Sequence, residues 1–467
     1  MHNQLKMKNI FFIILIAASV CITGCQKFLD VNKDPNNPTD VQESLLLSPI
    51  EQNISDNIQG GNASVNIQNY IQNIAPNQPN PGIWNYQSFN ADFDGDWYTF
   101  YVVCLNNLKI LNEKAEGDGN DNYAAIAKIL TAYTLGTATD YWNDIPYSKG
   151  FDKSNFLVPY DSQESIYDTV QALLTRAISN IDNNTGKVPG TDDFFYNGDM
   201  EKWRRSAWAL KARYAIHLTK APGHTAAQQA DEALNYLQNA MQSNDDDLKF
   251  NYEGSTGSEN IWNLTFSPVT TYVLNETLVD TLVNRNDPRL PVIVKPAEQT
   301  GLYHGRRIGT ETQELTTYSY PNDFYGGPAS SNYIITYNEC LFIKAEATLI
   351  KSGYVAAQPV YEDAVNSNLS KLGIDPSSAV AVAYINSRTV TAENALQRIM
   401  EEKAVANIFN LETYNDWRRT GFPVLQPVDG ALSEIPRRLL YPQSEILTNA
   451  QPQQSAQLTD RVWWDAQ

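Results

Sequence analysis

Apolar residues recur with a period near 3.6 along much of the chain, and this pattern predicts a mainly α protein. After Asp161, residues Ile166, Val170, Leu173, Leu174, Ala177 and Ile181 share one face. Asp161 and Glu164 read as a capping-box start, and Asn183-Asn184 with Gly186 as the stop. Trp203, Ala207, Leu210 and Tyr214 form a second stripe, closed by Pro222-Gly223, and Ala230, Leu234, Leu237 and Met241 a third. Ile334, Tyr337, Leu341 and Ala345 mark another helical face. Leu396, Met400, Ala404, Ile408 and Leu411 mark the next, with Thr391 as its expected cap. Ile126, Ile129 and Tyr133 predict a helix ahead of a loop at 136–150, and Leu45, Leu46 and Leu47 an N-terminal helix within 41–56. Strand signals are few: Pro291 to Lys295 and a short pair near 302–310.

Between these helices run long connections. Residues 57–97, 182–200, 243–333 and 421–467 hold most of the Asn, Pro, Gly and aromatic content. Loops longer than roughly fifteen residues in a compact domain are usually functional or disordered, and scattered aromatics argue against disorder. Helices in pairs suggest a helix-hairpin solenoid, although no clean repeat of about 34 residues is present. The expectation is one continuous unit with helices as scaffold and loops as working surface.

The first residues change where that unit begins. Lys6 and Lys8 precede an apolar run from Ile10 to Val20, which is too short to cross roughly 30 Å of hydrocarbon as a helix. Ile22-Thr23-Gly24-Cys25 then matches a bacterial lipobox. Residues 1–24 are therefore expected to leave as a lipoprotein signal peptide, with Cys25 lipidated at the head of a single domain, 25–467. A lipid there anchors a protein to a membrane surface without a spanning helix. The alternative is an ordinary signal with an incidental cysteine.

Charge and cysteines narrow the function classes. The chain carries 34 Lys and Arg against 53 Asp and Glu, a net −19, and loss of residues 1–24 moves this to −21. Such a balance disfavours nucleic acid, which needs clustered cations. Cys104 and Cys340 are far apart with no CxxC, so neither a disulfide framework nor a thiolate metal site is indicated. The four histidines, His2, His217, His224 and His304, form no HExxH, and no GxSxG, P-loop or GxGxxG occurs. Asp92, Asp94 and Asp96 alternate, but Gly95 precedes Asp96 and the twelfth position is Val103, not Glu. These acids, and those of Asn244-Asp245-Asp246-Asp247, are expected to be solvated turns. No catalytic residue, cofactor or metal is predicted.

Aromatic residues in the loops are the better candidates for ligand contact. Trp84, Tyr86, Phe89, Trp97, Tyr98 and Tyr101 lie in or beside an Asn/Pro/Gly-rich stretch. Tyr318, Tyr320, Asn322, Phe324 and Tyr325 precede the Ile334 stripe, next to Gly326-Gly327. Flat rings stack on sugar faces as they do on bases, and amides orient hydroxyls. The competing reading is that these rings pack the loops. From these two groups, Trp84, Tyr86, Trp97, Tyr98, Tyr101, Tyr320, Asn322, Phe324 and Tyr325 are taken as the ligand-binding candidates.

Several ordered motifs resemble the SusD/RagB family of nutrient-binding outer-membrane lipoproteins. They start with Phe28-Leu29-Asp30-Val31-Asn32 and Asp34-Pro35-Asn36-Asn37-Pro38, followed by Asp140-Tyr141-Trp142-Asn143-Asp144-Ile145-Pro146-Tyr147-Ser148. Lys202-Trp203-Arg204-Arg205, Asn286-Asp287-Pro288-Arg289-Leu290 and the helix around Glu339 to Ala347 come next. Glu401-Glu402-Lys403, Tyr414 to Gly421, Ile435-Pro436-Arg437-Arg438 with Tyr441-Pro442, and Trp463-Trp464-Asp465 complete the order. The resemblance implies a scaffold of tetratricopeptide-like helix pairs and a place at the cell surface. It also implies a TonB-dependent, SusC-like transporter barrel as partner. It implies an oligosaccharide ligand, or a peptide as in the RagB branch, and capture rather than catalysis. A helical glycoside hydrolase and a surface adhesion protein are the alternatives. Arg418 and Arg419 read as helix-end donors to the last carbonyls, and Arg437 and Arg438 as ties between loops and scaffold, with Glu401 or Glu402 as partners for such arginines.

Overall fold

The structure is a computed structural model and describes residues 41–152, 154, 157–267 and 271–466. The signal segment, Cys25 and the Phe28 to Pro38 motifs lie outside the described residues. Thirteen helices carry the scaffold: α1 (Glu43–Asn53), α2 (Asn62–Tyr70), α3 (Asn106–Asp118), α4 (Asp121–Trp142), α5 (Gln163–Asn183), α6 (Met200–His217), α7 (Ala226–Leu237), α8 (Glu276–Asn284), α9 (Tyr337–Ser352), α10 (Tyr354–Lys371), α11 (Ala379–Ser387), α12 (Ala395–Ala406) and α13 (Glu412–Thr420). The chain is mainly α, as the periodicity predicts. Six short strands form three two-stranded antiparallel ribbons. β1 (Ile74–Pro76) pairs with β3 (Tyr272–Leu274), β2 (Leu248–Asn251) with β6 (Ser331–Ile335), and β4 (Val294–Lys295) with β5 (Tyr320–Pro321).

Successive helices pack side by side from α3 through α7, α7 then lies against α9, and α9 against α10 and α12. This is the helix-pair scaffold. α4 is its centre, and every residue from Asn122 to Trp142 is buried, so no amphipathic stripe marks it. Its Thr131, Thr134 and Thr137 hydroxyls bond the carbonyls four residues back, which satisfies them without outside partners. At Gly136 an added Cβ would lie 2.2 Å from the Tyr214 hydroxyl, so glycine is what lets α6 approach α4 this closely.

Element boundaries differ from the sequence reading where side-chain chemistry overrides the period. α4 runs on to Trp142, so 136–142 is helix rather than loop. Ser162, not Asp161, caps α5 by accepting from Ser165 N–H, while Asp161 accepts from the N–H groups of Tyr147 and Ser148 and ties down the loop between α4 and α5. Ile334 belongs to β6, and α9 begins at Tyr337 behind a Thr336 cap. α12 starts at Ala395, with Thr391 donating its N–H to Asn394, and Ile408 and Leu411 are core residues beyond its end. Residues 290–293 are helical and only 294–295 extended, and the pair expected near 302–310 is a single parallel bridge between Asn275 and Arg306.

The acidic turns are only partly solvated: Asp245 is exposed and Asp92 and Asp94 partly so, while the other acids are buried. Asp246 is buried against Arg205, at 3.0 Å, and Asp247 against Lys371, at 2.7 Å. Asp96 is buried as well, whereas Asp94 accepts from Ser444 and Asp92 from Phe89 N–H.

Several of the family motifs meet in one buried knot. Asp140 accepts from the Tyr167 hydroxyl, the Trp464 indole and the Asn415 amide, at 2.6, 2.8 and 3.0 Å. His217 bridges Tyr167 and Glu412 at 2.8 Å each. Arg418 donates to the carbonyls of Asp140 and Arg437, and Arg437 grips Asp465 at 2.6 and 2.7 Å. The expected pairing of Glu401 or Glu402 with these late arginines does not form. Glu402 instead meets Arg289 at 2.5 Å and Arg388 at 2.9 Å, and Glu401 meets Arg388 at 2.6 Å, because α12 turns that edge toward the Asp287-Pro288-Arg289 turn. Arg419 pairs with Glu346 and Asp416. Burial would raise Glu402, but the two guanidiniums hold it below the usual carboxylate range.

Candidate functional site

Three loops meet on one face: 76–86, which follows β1; 306–313; and 426–432, which follows α13. Arg306 is their hub. Fully buried, it donates to the carbonyls of Pro76, Gln78, Thr310 and Glu311, at 2.7 to 3.2 Å, and to the Tyr318 hydroxyl. A planar five-donor group suits this task, since it closes several carbonyls around one charge. Amides then lock the third loop. Asn80 donates to Asp429 O at 2.9 Å, Asn85 to Gly430 O at 2.7 Å and Gln72 to Gln426 O at 2.6 Å. Val428 N–H donates to the Tyr86 hydroxyl at 3.2 Å.

What this face shows to solvent is a half-buried indole beside amides and one ion pair. Trp84 sits on a short 3-10 turn, Ile83–Asn85, with its indole N–H on Asn80 Oδ1 at 3.1 Å. The ring lies over Gly82, where a Cβ would come within 2.4 Å of it. Arg307 and Asp429, both about half exposed, pair at 2.7 Å across the rim. Beside them opens a polar cavity of about 240 Å³ lined in part by Gln72, Glu276, Thr277, Asp280, Arg307 and Asp429. Asn77 bonds Gln313 O at 2.6 Å, and Gln78 the Thr271 hydroxyl at 3.3 Å. A ring held at a fixed angle among amides and planar charges is suited to stacking a sugar and orienting its hydroxyls. Among the described residues no group of three or more His, Cys, Asp and Glu could hold a metal ion.

The nine candidates do not gather here. Trp84 is on the face, and Tyr86 lies beneath it, buried with its ring edge-on to Tyr70. Trp97 and Tyr101 turn inward instead: their rings are 4.5 Å apart, and Trp97 is 5.1 Å from Trp142. Tyr98, on the same turn, points out and is 58 % exposed. Tyr320, Asn322, Phe324 and Tyr325 surround the short helix Asp323–Gly326. There Asn322 caps the helix, Tyr325 is buried edge-on to Phe409, and Tyr320 and Phe324 are half-buried against the same apolar cluster. The expectation that loop rings face solvent therefore fails for Tyr86, Trp97 and Tyr325. Asn80, Arg306, Arg307 and Asp429 are absent from the sequence reading. The adjacent arginines between Gly305 and Gly309 were the available signal for two of them.

A sequence model of the SusD-like family, described as starch-binding and associating with the outer membrane, matches residues 35–442. The chain belongs to the SusD-like family. Solved structures agree on the fold. A chitin-binding protein superimposes with a TM-score of 0.79 at 23 % identity, covering 91 % of this chain and all of its own. A SusD/RagB family protein from Bacteroides thetaiotaomicron gives 0.77 at 22 % identity, over 91 % and 99 %. A chitin-binding SusD homologue from Flavobacterium johnsoniae gives 0.76 at 22 % identity, over 91 % and 98 %. No curated protein sequence matches. SusD-like proteins bind carbohydrate and associate with the outer membrane, and the order of motifs that suggested the family is the order that ties this SusD-like core together. No helix among the described residues is long and apolar enough to cross a membrane.

Proposed function

We propose that this protein captures an oligosaccharide at the cell surface, held to the outer membrane by a lipid on Cys25, and passes it to a SusC-like TonB-dependent barrel without transforming it. The observation that carries the reading is the convergence of three loops around Trp84, with Asn80, Arg307 and Asp429 beside it. Support for the surface location comes from the lipobox and the family's association with the outer membrane. Support for saccharide over peptide comes from the family description and from two chitin-binding structural neighbours. Support for holding over cleaving comes from the family description, and Asp429 of the site is engaged by Arg307.

Alanine at Trp84 tests the location. The ring is half-exposed and capped by one hydrogen bond, so its removal should leave the melting temperature within a degree or two. Stacking on an aromatic contributes about 1–3 kcal/mol, so affinity for the bound saccharide should fall about 5- to 150-fold by calorimetry. Full affinity in a folded Trp84→Ala protein would place the site elsewhere.

A further inference from the structure

A second cavity, about 340 Å³, is lined from α1 and the turn after it, the loop before α6, the end of β2 and the short helix Ile261–Phe266. It shares no lining residue with the cavity beside Trp84, and its size falls in the range of small-ligand pockets. Its most prominent group is the Phe194 ring, which is 41 % exposed although the loop that carries it is tied down. Phe194 N–H donates to the buried Glu51 at 2.6 Å, and the Ser48 hydroxyl donates to Asp192 O at 2.7 Å. Asp193 accepts from the N–H groups of Phe195, Tyr196 and Gly198 and from the Trp203 indole. The Phe194 ring stands edge-on to Phe250 at 5.7 Å, and Phe250 meets Tyr252 at 4.9 Å. From another element, Ile261 and Leu264 add a second apolar patch to the lining, with Leu264 45 % exposed. A ring already held in place by its loop needs little further ordering when a ligand stacks on it.

We propose that this cavity is a second saccharide site, in which a neutral hexose unit stacks on Phe194 and turns its hydroxyls to Gln52, Asn251 and Glu253. All three of these polar side chains line the cavity and belong to exposed residues. A pyranose carries the two surfaces that such a lining asks for. Its C–H face suits the Phe194 ring and Leu264, and its hydroxyls both donate to carboxylates and accept from amides. Charge sets the class of sugar. No lysine or arginine is among the lining residues, whereas Asp56, Glu253 and Glu259 are, so a uronic acid or sulfated unit would meet carboxylates with no cation to offset them. The proposal rests on the saccharide reading above, to which it adds a second grip on the same polymer. Two sites on one chain hold a polymer that spans them more tightly than either does alone.

The test is calorimetry on residues 26–467 with tetramers of glucose, of N-acetylglucosamine and of galacturonic acid. A neutral tetramer should fill two sites per chain, and the galacturonic acid tetramer should leave the Phe194 site empty. Phe194→Ala should weaken one of the two sites about fivefold or more and leave the other unchanged. Leu264→Glu, which removes apolar surface at an exposed position without touching the ring, should weaken that same site. Trp84→Ala should weaken only the other one. A single site that is lost in Trp84→Ala and intact in folded Phe194→Ala and Leu264→Glu overturns the second site and leaves the capture reading standing. Binding lost in Phe194→Ala and Leu264→Glu but intact in Trp84→Ala upholds the Phe194 site and overturns the location at Trp84. Galacturonic acid bound at the Phe194 site, or no neutral tetramer bound there, overturns the proposal.

Discussion

Asp96 and Trp84 show how little a single residue reveals before its neighbours are placed. In the sequence Asp96 is one of three alternating acids. In the fold, burial pushes its carboxyl up to about 6, against the Ala63 N–H bond that lowers it. Its folded value lies above the ordinary 3.8, so the stability it contributes is fully present below that value and is lost as pH rises through about 6. The ionised form therefore costs on the order of 3 kcal/mol at neutral pH. Asp96→Asn should be at least as stable as the wild type at pH 7, and that advantage should shrink steadily between pH 6 and 4 in paired denaturant titrations. A variant less stable at every pH would mean that the carboxylate is satisfied in the fold. Trp84 keeps the half-exposed place that the loop pattern suggested for it. Tyr86, Trp97 and Tyr325 carry the same local signal yet point inward, since ring direction depends on backbone geometry and on partners hundreds of residues away.

At the scale of elements, periodicity located the amphipathic helices and missed what side chains do at their ends. α5, α6 and α7 fall where their stripes lie, and α4 was caught only in part because a helix buried on all sides has no polar face to break the pattern. The α5 cap was misplaced by one residue, because Ser162 competes with an equally plausible neighbour, and α12 starts at Ala395 with no side-chain cap at all. The α4–α6 contact offers a direct check. Alanine at Gly136 would gain about 1 kcal/mol of helix propensity, but its Cβ would meet the buried Tyr214 ring, and overpacking of that kind costs about 1–3 kcal/mol. The clash wins, so Gly136→Ala should lower the melting temperature; an increase would show that α6 yields easily. A second check lies at Arg289, fully buried with Asp287 and Glu402. Arg289→Met removes the guanidinium from the buried Asp287 carboxylate and leaves Glu402 with Arg388 alone, and should cost about 3–5 kcal/mol. Because Arg289 holds Glu402 below its ordinary value, that contribution is present above pH 4.5 and lost as pH falls through the folded value. The gap between wild type and variant should therefore narrow in acid.

For the whole molecule, several of the ordered motifs build the knot around Asp140, Arg418 and Trp464, while the Asp287–Arg289 turn and Glu401-Glu402 build a second cluster. The motifs of the knot spread from α4 to the last residues, so they fasten the C-terminal segment to the helix pairs. Family membership was therefore legible from those ties. The proposed binding face was not, because it is assembled from Asn80, Arg307 and Asp429, which share no local pattern and meet only after the fold forms. The central claim is capture without turnover. The measurement that tests it most directly is calorimetry of residues 26–467 against a panel of oligosaccharides and peptides, with every mixture checked afterwards by mass spectrometry. Saturable binding of an oligosaccharide recovered intact is the predicted result, and cleaved products, or tight binding confined to peptides, would contradict it.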